Sequence, residues 1–64
     1  MVISDFNKLY EEWVSTPSTN FKTKVEQCGK HYSILSINKS NGRILVEKQY
    51  GDTDSIHYSK LKRV

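Results

Sequence analysis

Cys28-Gly29-Lys30-His31 sets a thiol and an imidazole at the C-x-x-H spacing of half a metal site, and Asp54 and His57 downstream would complete four ligands. Bound metal would contribute folding energy directly, which suits a chain with few apolar residues. Against this stands a single cysteine with no second closely spaced Cys/His pair. The expectation is therefore a small buried thiol and two surface imidazoles, with no metal and no cofactor. On paper, the same Cys28, His31 and Asp54 also make a nucleophile, a base and an orienting carboxylate. Size argues the other way: 64 residues with 36% apolar content build a thin core and no large pocket able to exclude water around a substrate. A non-enzymatic protein is expected.

The second constellation is basic and aromatic. Lys30, Arg43, Lys48, Lys60, Lys62 and Arg63 are interleaved with Tyr50 and Tyr58 near expected strand ends and turns. Cations meet phosphates while aromatic faces stack on bases, so this mixture points to a surface for nucleic acid, DNA or RNA. Its plain alternative is lysines that keep strand edges soluble and tyrosines that fill the core. The net charge of +3 and pI near 9.1 fit a polyanionic partner, and the excess is uneven. Residues 1–20 carry Asp5, Glu11 and Glu12 against Lys8 alone, so the basic character belongs to residues 21–64.

These side chains need elements to hold them. Phe6, Leu9, Tyr10, Trp13 and Val14 stand at i, i+3, i+4, i+7 and i+8, one stripe of an α-helix. The spacing predicts a helix over 4–15, with Ser4 as N-cap and Asp5 in the first turn. Pro17 and the polar run around it end that helix and make 16–20 a linker. The period then changes to two. Phe21–Glu26, His31–Asn38, Arg43–Tyr50 and Ser55–Tyr58 read as strands, with room for a short terminal strand within 60–64. Gly29 ends the first of these strands. Asn41-Gly42 is the best hairpin signal, and its residue types predict a type I′ turn.

Leu35, Ile37 and Leu45 alternate with Ile34 and Val46, so both faces of the expected sheet carry apolar residues and both require cover. Curling the sheet supplies cover for one face and the helix for the other or for an open end. The expected architecture is a single domain, mainly β with one N-terminal α-helix: a small four- to five-stranded antiparallel barrel over 21–64, capped by the amphipathic helix. Residues 25–64 resemble the SH3-like barrels of the Tudor and KOW type. The matching pieces are Gly29-Lys30-His31-Tyr32-Ser33-Ile34, Gly42-Arg43-Ile44-Leu45-Val46-Glu47-Lys48-Gln49-Tyr50-Gly51 and Ile56-His57-Tyr58-Ser59-Lys60-Leu61-Lys62-Arg63. The resemblance implies a strand ending in an aromatic-Gly turn, a short strand, a helical turn at Ser59-Lys60-Leu61 and a final basic strand. It also implies a binding module, since such barrels take nucleic acids, methylated side chains or other proteins, and fold alone does not choose among these.

The preferred expectation is an accessory nucleic-acid-binding domain. The alternative is a protein-interaction module, a small inhibitor or adaptor of a larger machine, that docks Phe6, Tyr10 and Trp13 of the helix into a groove on a larger protein. A lone cysteine, no apolar run of a signal-peptide kind and no stretch near the roughly 20 apolar residues that span a bilayer predict a cytoplasmic protein without a membrane partner.

Overall fold

The apolar stripe coils as its spacing predicts: α1 spans Ile3–Ser15 in the computed structural model, which describes residues 1–64. The start differs from expectation. Val2 occupies the N-cap position, no side chain caps the helix, and Ser4 lies inside the first turn. Phe6 and Leu9 are buried, and Tyr10 and Trp13 pack half-buried against the core. Val14, expected on the same stripe, is 60% exposed, because the helix ends at Ser15 before another turn can press it inward.

Five strands follow: β1 Lys24–Gln27, β2 Lys30–Asn38, β3 Arg43–Glu47, β4 Thr53–His57 and β5 Lys62–Arg63. They form one antiparallel sheet in the order β4-β3-β2-β1-β5. β1 begins three residues later than the alternation from Phe21 predicts. The Phe21 N–H instead donates to the Pro17 carbonyl at 3.1 Å, which keeps Phe21 in the turn after the linker. β3 ends at Glu47, and the Lys48 N–H closes the next turn on the Asp52 carbonyl at 2.6 Å. A tight turn at Gln49–Gly51, with Tyr50 and Gly51 left-handed, precedes β4, and a short 3-10 segment, Tyr58–Lys60, follows it.

The type I′ turn expected at Asn41-Gly42 is found instead in the β1–β2 hairpin. Cys28 (φ 54) and Gly29 (φ 81) are both left-handed and alone connect the paired Gln27 and Lys30, so the type I′ turn lies here. Between the paired Asn38 and Arg43 stand four residues, of which only Gly42 (φ 71) has a positive φ. Asn41 is not left-handed and works through its side chain. Its Oδ1 accepts from the Arg43 N–H at 2.9 Å, as Asn38 Oδ1 accepts from the Ser40 N–H at 3.0 Å.

One bulge decides which residues enter the core. Ile34 pairs with Val46, but Ser36 pairs with Leu45, so Leu35 is an extra residue on β2. The slip puts Ile34 and Ile37 on the same face, three positions apart. There Ile37, Ile44, Val46 and Ile56 join Val25, Leu61, Phe6 and Leu9 in a single buried cluster shared by helix and sheet. Leu35 (42% exposed) and Leu45 (36% exposed) lie on the other face. The expectation that both faces are covered is therefore corrected, and with it the reason for closing the sheet. β4 and β5 are its two edges, with no ladder between them.

Candidate nucleic-acid interface

Strand alternation aims alternate backbone groups of an edge strand away from the sheet. Tyr58 N–H donates to the Gly42 carbonyl and Lys48 N–H to the Asp52 carbonyl. Counting inward from these bonds, Ile56 and Asp54 bond β3, while Thr53, Ser55 and His57 turn their backbone groups outward. Ser55 is guarded by a neighbouring side chain. Arg43 Nη1 donates to its carbonyl at 2.9 Å. Such blunting suppresses pairing with foreign strands, so this edge offers side chains rather than a bare ladder.

Two open hollows lie near it, the first at the β3–β4 turn beside β2 and the second at β4 itself. One, of about 240 Å³, is lined by Lys30, Tyr32, Lys48, Gln49, Tyr50 and Asp52. The other, of about 210 Å³, is lined by Gln27, Arg43, Asp54, Ser55, Ile56, His57 and Lys60. The sheet curls enough for Gln27 of β1 to face β4 across the second hollow. The boundary between the hollows is the ion pair Lys48 Nζ to Asp54 Oδ2, 3.0 Å. Its hydrogen bond is the main influence holding the Asp54 carboxyl below its usual range and the Lys48 ammonium above its own.

The structure separates the candidate side chains into three groups. Lys30 and Tyr50 border the first hollow together with Lys48, whose ammonium is engaged by Asp54 and lies 5.4 Å from the Tyr32 ring centre. Arg43 and Lys60 border the second. Lys62 and Arg63 form β5, where Lys62 is exposed and pairs in register with Glu26, while Arg63 turns to α1 and bonds the Glu12 carboxylate. Tyr58 is not presented to a ligand. Its ring stacks on Phe6 (centroids 4.6 Å apart, 19° between planes) and lies against His57 at 4.4 Å. Tyr50 is the opposite case, 98% exposed and left-handed at φ 62, ψ 24.

The stripe of the alternative reading is committed inward: Phe6 is 1% exposed, and Tyr10 and Trp13 pack on the core. Cys28 is exposed, not buried, at the tip of the β1–β2 hairpin. It and His31 belong to that hairpin and Asp54 and His57 to β4; no three His, Cys, Asp or Glu side chains group where they could hold a metal. Gln27 gave no signal in the sequence, and His57 enters the second hollow only because the β3–β4 register sets it opposite Arg43. His57 Nδ1 accepts from the Ser59 N–H at 3.2 Å, with the Ser59 hydroxyl 2.9 Å away. This holds the imidazole beside Arg43 and Lys60 and caps the Tyr58–Lys60 segment.

What these features define is a helix-covered, mainly β domain with one open antiparallel sheet and a border beside β4 in which Lys30, Arg43, Lys48 and Lys60 outnumber Asp52 and Asp54. No helix is long and apolar enough to cross a membrane. Comparison of the chain with protein-family models, curated proteins and solved structures gives no match.

Proposed function

We propose that this protein is a small, non-enzymatic nucleic-acid-binding domain of SH3-like build. The observation that carries the reading is a set of cations without an ion-pair partner: Lys30 at the first hollow, Arg43 and Lys60 at the second, and Lys62 on β5. The SH3-like part is supported by the order β3, Tyr50-Gly51 turn, β4, Tyr58–Lys60 turn and basic β5. The acids of α1 lie on another element, and of the border's own acids Asp54 is paired with Lys48 while Asp52 lines the first hollow, so the cations are in excess there. The docking-helix alternative lacks comparable support, because its aromatic residues already serve the core.

The molecule measures 28 × 26 × 20 Å, so its longest dimension spans only about 8 base pairs at 3.4 Å each. Four phosphate contacts set a slope of log K against log salt of about −3.6 on duplex and about −2.8 on a single strand. A low-salt titration with labelled duplex DNA, single-stranded DNA and RNA tests this. Replacing Lys60 and Lys62 together by Ala should flatten the slope by about 1.4–1.8. Arg63→Ala should leave the slope alone and cost only about 0.2–1 kcal/mol of stability through the lost Glu12 pair. No binding to any of the three nucleic acids rejects the reading.

A further inference from the structure

Tyr50 combines two features that folding alone does not explain. A bulky residue held left-handed is strained, and such strain persists where the surroundings impose it, often at functional sites. Here the strain secures no burial, since the ring is 98% exposed. Gly51, also left-handed at φ 80, has nothing within 4 Å of where a side chain would start. The turn is therefore open around an aromatic ring that stands free beside Lys30 and Lys48.

We propose that the β4 border binds single-stranded rather than duplex nucleic acid, with a base stacked on Tyr50 and the following phosphates carried past the Lys48–Asp54 pair to Arg43 and Lys60; this rests on the nucleic-acid reading above. A base in a duplex already has both faces covered by its neighbours, whereas an unpaired base has a face to give to the ring. Groove reading needs a helix or a two-stranded ribbon inserted into the duplex. α1 cannot serve as that helix, because its apolar face is in the core and Asp5, Glu11 and Glu12 would meet phosphates with like charge. β4 spans about 17 Å at 3.4 Å per residue, so Tyr50 at one end and Lys60 past the other bracket a strand of a few nucleotides. Arg43 reaches the border from β3 and exchanges the Ser55 carbonyl for a phosphate oxygen, a stronger charge-assisted partner.

The test uses the full chain and two fluorescent probes, an oligothymidine of about a dozen nucleotides and a hairpin duplex of equal length, titrated at low salt. Tyr50→Gly relieves the strain, so it should melt no lower than the parent. It should bind the oligothymidine roughly 5- to 160-fold more weakly, the range expected for loss of one base–aromatic stack. Tyr50→Phe should keep parental affinity, and affinity for the duplex should be weak and unaffected by either change. Equal oligothymidine binding by Tyr50→Gly and the parent overturns the stacking role while leaving a cationic nucleic-acid domain in place. Duplex binding as tight as single-strand binding overturns the preference. Absence of binding to both probes by the parent removes the underlying reading as well.

Discussion

Gly42 is the position where a single methyl group should do the most harm. A Cβ built there falls 2.8 Å from His57 Nε2, 3.0 Å from Tyr58 Cε2 and 3.1 Å from Tyr58 Cδ2. Neither ring can yield easily. Tyr58 is stacked on Phe6 of the core, His57 is tied to Ser59, and the Tyr58 N–H donates to the Gly42 carbonyl at 2.9 Å. Gly42→Ala therefore adds overpacking of about 1–3 kcal/mol to a left-handed backbone cost of about 1–2 kcal/mol, for a total of about 2–5 kcal/mol. A domain of this size loses roughly 4–8 °C in Tm per kcal/mol, so melting should fall by at least about 8 °C. Gly29→Ala supplies the control: Gly29 has nearly the same φ, and nothing lies within 4 Å of its built Cβ. It should show the backbone cost alone. Urea titrations followed by Trp13 fluorescence, at matched m-values, measure both variants. Gly42→Val should be worse than Gly42→Ala. Equal losses at Gly42 and Gly29 would refute the packing of the His57–Tyr58 pair against this turn.

Phe6→Ala should cost about 3–5 kcal/mol, as for other buried aromatics, and Trp13→Ala distinctly less because part of its ring is already in water; equal urea midpoints for the two variants would contradict the burial order along α1. For the Lys48–Asp54 pair the signs follow from the directions of the shifts. The lowered Asp54 carboxyl contributes stability that is present above its unfolded value, near 3.8, and lost as pH falls through the folded value. The raised Lys48 ammonium contributes below its unfolded value, near 10.5, and loses that contribution as pH rises through the folded one. Asp54→Asn should thus lower the urea midpoint slightly at neutral pH, less in high salt, and not at all in strong acid. A difference that persists unchanged at about pH 2 would show that the pair is not its source.

Much of this protein is local and therefore legible. Apolar residues at helical spacing make α1 wherever it packs, and Pro17 stops it through sterics confined to its neighbours. Alternation places β2, β3 and β4 to within a few residues, and turn-forming residues separate them. The mainly β class with a leading helix follows from these alone.

The β2–β3 hairpin around Asn41-Gly42 was legible, but the register between strands was beyond the reach of a one-dimensional reading. The bulge at Leu35 reverses the face of everything after it on β2, and Leu35 is an aliphatic residue like Ile34 and Ile37 on either side of the slip; the slip exists because Ile34 and Ile37 must both meet the core. Turn type was likewise decided by loop length, so Cys28-Gly29 took the two-residue turn and Asn41-Gly42 the longer one. The candidate site divides along the same line. Charge and aromatic content marked out its residues, but only packing withdrew Tyr58 to Phe6, Arg63 to Glu12 and Lys48 to Asp54, and left Tyr50 facing water. Residue type sets what a side chain is able to bind; which partner it takes depends on what the fold brings within a few ångströms of it.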